Sequence, residues 1–473
     1  MFCIHVDPRM RYASAPFSPD KVYPELAGLC GETDAGNLVY AGVRDTMQQM
    51  GWDAAHFGTA QWNPMGHLVA GAQRIVIKPN LVLHRVGELP CSIESLVVHA
   101  AVLRPIVDYV LLAARRAGTT PKLAIADTPL QSADFRQLCE ENGLLALVTY
   151  YREKGIGLDL FDLRFEHAVI NDHFLILQRV PLPGDPQGAR IVDLAEGSEH
   201  FRAGQGKAEF SIQDYDDEAT RGNHSGKVQR YKFSQSILDA DLVINVAKLK
   251  CHAKAGVTLA LKNIVGANVS KDYLPHFRSG GPQNGGDEVP KLSWYPRTVR
   301  NLRNWFNRNR RPYLAPLHRI LKKVAYRVES SRRQLGYETG FGGAWYGNDT
   351  LWRTIVDINR ILYFADREGC IHDVPQRKVA FFLDGVVGMQ GDGPLKGTDL
   401  RAGVLACGDD PVEFDACSTY LMGFDPSKVP HIAYWGRAAG LKIGALPQSF
   451  DFPGAEQIPA FHEPSGWKGK LRR

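Results

Sequence analysis

The sequence predicts an α/β fold: a mostly parallel sheet with flanking helices, in two Rossmann-like lobes, with a β-rich insertion and a basic helical insertion. Three observations predict it. Short apolar runs rich in β-branched residues end abruptly in polar ones. Helical patterns follow most of these runs, as in βα units whose strands are covered on both faces. With 473 residues, 44% apolar and 23% charged, the chain has a globular composition and room for more than one domain.

The first lobe is expected over residues 1–150. There "RIVIKPN" (74–80) reads as a strand and precedes the helix-like "SIESLVVHAAVLRPIVDYVLLAARRAG" (92–118). "KLAIAD" (122–127) is a further strand, leading into "TPLQSADFRQLCEENG". Residues 151–235 alternate over shorter periods, in "GLDLFDLR", "AVINDHFLILQRV" and "ARIVDL", and make the β-rich insertion. The second lobe takes 236–275 and 345–445, with strands at "DLVINV" (241–246), "KVAFFLD" (378–384) and "AGVLACGDD" (402–410). Within it, "GNDTLWRTIVDINRIL" opens on a capping Asn348 or Asp349 and repeats Trp352, Ile355, Ile358 and Leu362 as a core face. Asp349, Arg353 and Asp357 fall on another face and read as ion pairs. Residues 276–344, rich in Gly, Pro, Arg and Asn, form the basic loop and helix insertion, and 446–473 form a tail.

Charge is uneven. The net value is +5, yet residues 297–333 alone hold twelve Lys/Arg against one acid, Glu329. Its interleaved Leu, Trp and Phe suit either packing on the core or an anionic inner-leaflet surface. No nucleic-acid fold motif accompanies it, so nucleic acid is not an expected partner. The eight cysteines are never closer than ten residues, which excludes a C-x-x-C knuckle or an iron–sulfur run. The acidic turn "QDYDDEATRGNHSGK" lacks the glycine and terminal Glu of an EF-hand loop, and no metal site is expected. The first residues lack a secretory apolar core, and no run approaches the ~20 apolar residues of a membrane span. A cytoplasmic protein, with or without peripheral membrane attachment, is expected.

The densest chemistry lies in "KLKCHAKAGVTLALKN" (248–263), which has four lysines and a histidine; no Asp or Glu falls between Asp241 and Asp272. It follows a strand, and ligands of parallel sheets bind beyond strand carboxyl ends. Lys248, Lys250 and the free N–H groups of the following helix would hold an anion. His252 would move a proton, and Lys262 would anchor the substrate or react as an amine. Thr258 shares a helix face with Lys262, and Asn263 follows. A solvated basic loop with Lys262 turned outward is the plainer alternative. Lys78, Asn80, Asp127 and Asp384 stand at other strand ends. "LDGVVGMQGDGPLKG" supplies a glycine loop in which Gly391, Asp392 and Gly393 would line the pocket, unless the loop is only a tight connection. His276, in "LPHFRSGGPQNGGDEVP", belongs either to a lid or to a surface excursion.

"DADLVINVAKLKCHAKAGVTLALKNIVG", "LDGVVGMQGDGPLKG" with "GDDPVEFDACSTYLMGFDPSKVP", and the N-terminal "VIKPNLV" and "IADTPLQS" resemble, in order, the family catalogued as domain of unknown function 362. The later "LPHFRSGGPQNGGDEVP" and "GNDTLWRTIVDINRIL" look like a branch encoded near polysaccharide-assembly genes. Two departures are visible. The cysteine set for the iron–sulfur domain of some relatives is missing, and Cys251 stands where relatives place Thr. His252, Gly256 and Lys262 are also similar in spacing, H-x3-G-x5-K, to the nickel-pincer lactate racemase family. That likeness implies a proton-transfer base at His252 and a cofactor anchor at Lys262. The second catalytic histidine of that family has no clear counterpart near "ADTPLQ".

These readings lead to an enzyme acting on an anionic small molecule or phosphorylated glycan intermediate, with reaction and cofactor open. The alternative is a non-catalytic, peripherally attached assembly protein of a polysaccharide system.

Overall fold

Phe2–Val6 (β1), Arg74–Pro79 (β2), Lys122–Asp127 (β3), Asp159–Asp162 (β4), Leu242–His252 (β5), Gly256–Val257 (β6), Lys378–Asp392 (β7) and Lys396–Gly408 (β8) build the principal sheet of the computed structural model. The structure describes residues 1–85, 89–170, 176–205, 208–212, 217–291, 341–438 and 441–473, with six single positions between 292 and 340. Among these residues the sheet has eight strands, ordered β1-β8-β7-β5-β2-β3-β4, with β6 folded back on the end of β5. The basic run 297–333 lies almost wholly outside the described residues, as do Asp214 and Asp216 of the acidic turn.

Strands β7, β5, β2, β3 and β4 run parallel; β8 is antiparallel to its neighbours β7 and β1, so β1 runs in the direction of the other five. The sheet is therefore mixed, which corrects the mostly parallel one expected. The cause is the glycine-rich run after Asp384. It continues as strand to Asp392, turns, and returns as β8, and a hairpin return gives an antiparallel neighbour. Strands from both sides of residue 150 share this one sheet. β4, expected in the β-rich insertion, pairs with β3 instead. Residues 166–234 do hold small antiparallel pairs, Glu166–Ile170 with Ile176–Pro181 and Ala189–Asp193 with Val228–Ser234.

Period-2 alternation divides the interior. Ile75 and Ile77 of β2 enter one core and Val76 the other; Ala380 and Phe382 of β7 oppose Phe381 and Leu383 in the same way. Leu38–Gln49 (α1) and Ala100–Arg116 (α2) cover the first face. Leu259–Asn263 (α3), Leu351–Phe364 (α4), Pro411–Leu421 (α5) and Pro430–Arg437 (α6) cover the second. This three-layer packing explains why the strands read as continuous apolar runs. On α4, Ile355, Ile358 and Leu362 are buried, and Asn348 accepts the N–H groups of Thr350 and Leu351. Arg353 pairs with Asp349 at 2.9 Å, but Asp357 is buried and accepts from Ser198, Tyr231 and the Glu199 N–H, tying residues 198–231 to the helix. No helix of the described residues is long and apolar enough to cross a membrane.

Candidate functional site

Because β2, β3, β5 and β7 are parallel, their carboxyl ends reach one edge of the sheet. Lys78 donates to Asp127 at 2.7 Å and to Asn263 Oδ1 at 3.1 Å. Asn80 donates to the same oxygen at 3.0 Å, and Asn263 Nδ2 donates to Asn245 at 2.7 Å. Asp127 also accepts the N–H groups of Leu81 and Thr128, at 2.7 and 2.8 Å. Buried polar groups are costly unless paired, and these pairs bind the strand ends to α3. Gly266 makes room for them: a Cβ there would stand 2.2 Å from Asp127 Oδ1 and 2.9 Å from Lys78 Nζ.

A second pair occupies the β5–β7 side. Lys248 Nζ lies 2.9 Å from Asp384 Oδ2 and donates to the Tyr12 hydroxyl at 2.8 Å. Tyr12 donates to Asp384 Oδ1 at 2.6 Å, and the His99 N–H donates to Oδ2 at 3.0 Å. Both members of the pair are buried. Lys248 thus has a carboxylate partner in Asp384. Lys250, equally buried, donates to the Leu96 carbonyl at 2.8 Å.

The remaining cations face few carboxylates. Lys262 on α3, Lys271 beyond it and Lys254 in the β5–β6 turn are crowded by protein yet still touched by solvent. Among the described residues, the Lys262 and Lys271 side chains make no hydrogen bond or ion pair. Burial, reinforced by Lys271, Lys254 and Lys78, brings Lys262 down to about 7. Burial brings Lys271 down to about 8 against the pull of Asp127. Two histidines share this environment. Burial and the charges of Lys262, Lys254 and Lys250 push His252 well below its ordinary value; burial, Lys254 and Lys271 do the same to His276. Both rings are therefore neutral at pH 7.

Their partners assign opposite tautomers. His252 Nδ1 accepts the N–H groups of Lys254 and Ala255, at 3.1 and 3.2 Å, so its proton is on Nε2. His276 Nδ1 donates to the Leu274 carbonyl at 2.9 Å, which leaves Nε2 a bare acceptor. The group thus offers one ring donor and one ring acceptor among cations. His252 is the donor and His276 the acceptor.

The other expected contributors are placed around this group. The N-terminus of α3, a five-residue helix, is already taken by a carboxyl group: Ala260 and Leu261 donate to Asp415 of α5 at 2.7 and 2.9 Å, and burial pushes that group up to about 8. Thr258 Oγ1 is buried without a partner. Gly391, Asp392 and Gly393 form the tip of the β7–β8 hairpin. A Cβ at Gly393 would lie 2.3 Å from the Cys251 carbonyl, and Asp392 accepts the Ser465 N–H at 2.7 Å. The tip buttresses the turn that carries His252 and Lys254. The loop around His276 is tied down: Asp287 accepts from the Arg278 N–H and from Thr350, and Glu288 from the Gly280 N–H. Two surface clefts, one beside Trp52 and Arg116 and one beside Gln205 and Asn284, are lined by none of the lysine or histidine groups described above.

Residues 193–420 match the family model described as Domain of unknown function (DUF362). This span, just under half of the chain, contains His252, Lys254, Lys262, Lys271, His276 and Asp415, whereas Lys78, Asn80 and Asp127 precede it. Comparison with curated proteins and with solved structures gives no match.

Sequence reasoning misses several residues of this edge. Asn245, a polar residue inside an apolar strand run, and Asp415, a carboxylate inside an otherwise buried helix, carried a readable signal. Lys271 had a weaker one, since it closes the same acid-free stretch. Tyr12 had none. His431 of α6 is also new: it is buried with both ring nitrogens unpartnered, and burial, then the Lys262 charge, lowers it to about 3.

Proposed function

We propose that Lys262, Lys271, His252 and His276 form the active site of an enzyme acting on an anionic small molecule, a class that includes phosphorylated glycan intermediates. The observation that carries this reading is the unpartnered pair Lys262 and Lys271. Buried charges normally have partners, and Lys271 depresses the protonation of the unpartnered Lys262 beside it. An incoming dianion relieves that strain and restores their charge. The His252 Nε2–H then faces a substrate oxygen as donor, and His276 Nε2 takes up a proton. Asp127 and Asp384 hold Lys78 and Lys248 in place and so orient the strand ends. The branch resemblance supports a glycan intermediate over other anions. The nickel-pincer likeness fits less well, because His252 does not present the proton-accepting nitrogen it calls for. The membrane-assembly alternative rests on residues 297–333, and no described residue favours it.

Sulfate tests the reading, since its charge is constant across the relevant pH range. Titration calorimetry should show binding at pH 6.5 that weakens as pH rises through 7 and 8, with proton uptake near pH 7.5. The double substitution Lys262→Ala/Lys271→Ala should weaken it by about tenfold or more. Sulfate affinity indifferent to pH and to both substitutions would rule the site out.

A further inference from the structure

We propose that Lys262 is an amine nucleophile and that the substrate is an anionic aldehyde or ketone, captured on Lys262 as an imine. This rests on the anion-binding reading above and narrows it. The lysines of this edge differ in what they touch. Lys78 pairs with Asp127, Lys248 pairs with Asp384, and Lys250 is engaged by the Leu96 carbonyl. Lys262 has no such partner and keeps solvent access. Lys271 shares that freedom, but it sits on a single 3-10 turn and feels Asp127.

Lys262 is instead carried by a fixed element. Asp415 holds the start of α3, Asn245 donates to the Ala260 carbonyl at 2.9 Å, and Asn263 locks its end to Lys78 and Asn245. Placing a reacting group on a rigid support is what orientation requires. A lysine attacks only as the neutral amine; with the substrate's anionic group taken by Lys271, Lys262 faces the uncharged carbonyl and keeps a large neutral fraction at pH 7. The two neutral histidine rings complete the chemistry. The Lys262 nitrogen bonds to the carbonyl carbon while the His252 Nε2–H steadies the carbonyl oxygen as a hydrogen-bond donor. His276 Nε2 takes one proton from the nitrogen and passes it to that oxygen, giving the carbinolamine; it then carries the second N–H proton to the hydroxyl, which leaves as water, and both rings end neutral. One carbonyl and one amine give one imine and one water, with no change of oxidation state.

The test uses pyridoxal 5′-phosphate, an anionic aldehyde, against pyridoxal, which lacks the phosphate. Each is incubated with the full chain, reduced with borohydride and mapped by peptide mass. The expected result is a reduced adduct on Lys262, favoured about tenfold for the phosphorylated aldehyde. Sulfate should suppress it, and the rate should rise with pH to a midpoint near 7. Lys262→Arg should abolish the adduct at that position without moving it to Lys271. Label confined to Lys271 or scattered over exposed lysines, with sulfate binding intact, overturns the imine while sparing the anion site. Absence of both label and sulfate binding overturns both.

Discussion

Lys262 carries its charge at a cost that pH should reveal. Its ordinary value is 10.5 and its folded value is about 7, so the folded chain binds fewer protons than the unfolded chain between those limits. Stability from this residue is therefore complete only above 10.5 and is lost as pH falls through about 7. Lys262→Met keeps the stem and removes the ammonium. In anion-free buffer it should raise the melting temperature at pH 6.5 and by progressively less toward pH 10. Sulfate should raise the melting temperature of the wild type more than that of the variant, because only the former gains a charge partner. A variant less stable than wild type at pH 6.5 would mean that the ammonium already has compensation.

The element on which Lys262 rides is too short to stand alone. A five-residue helix has no independent stability in water, so α3 exists because its two ends are held by other parts of the chain. Asp415→Ala leaves the Ala260 and Leu261 N–H groups buried without an acceptor. We expect a loss of about 2 kcal/mol in denaturant titration, and a smaller loss for Asp415→Asn, which keeps one oxygen. Equal stability of the alanine variant and wild type would show that the cap is dispensable. The existence of most strands was legible in the sequence because a sheet covered on both faces demands continuous apolar runs. The mixed sheet was not. Gly388 sits inside β7 because a Cβ would come within 2.7 Å of the Phe461 ring and 2.8 Å of the Leu249 carbonyl. Glycines that permit close approach in a strand have the composition of a loop, and the run reads as one. The cationic cluster was legible from its density of lysines. Which lysines are spoken for was not, because the partners come from far along the chain. Asp127 lies 49 residues from Lys78, and Tyr12 lies 236 from Lys248.

The two ends of the chain complete the molecule around this edge. Tyr12 closes the Lys248–Asp384 pair from the N-terminal side. From the other end, Phe461, Trp467 and Leu471 are buried, and Trp467 Nε1 donates to the Ala253 carbonyl at 2.9 Å, in the turn between His252 and Lys254. The same ring lies 3.5 Å from where a Cβ of Gly256 would be. The tail therefore serves as the lid of the β5–β6 turn as well as part of the second core. Trp467→Ala should cost about 3–5 kcal/mol in denaturant titration through the cavity it leaves. It should also weaken sulfate binding, because the turn that aims His252 and Lys254 loses its anchor. Trp62 supplies the control. It is equally buried, donates to the Trp52 carbonyl at 2.9 Å, and belongs to the opposite core. Trp62→Ala should cost a similar amount of stability with sulfate affinity unchanged at a temperature where both variants are folded. If the two substitutions affect sulfate equally, the tail is packing alone and the turn is positioned from within the sheet.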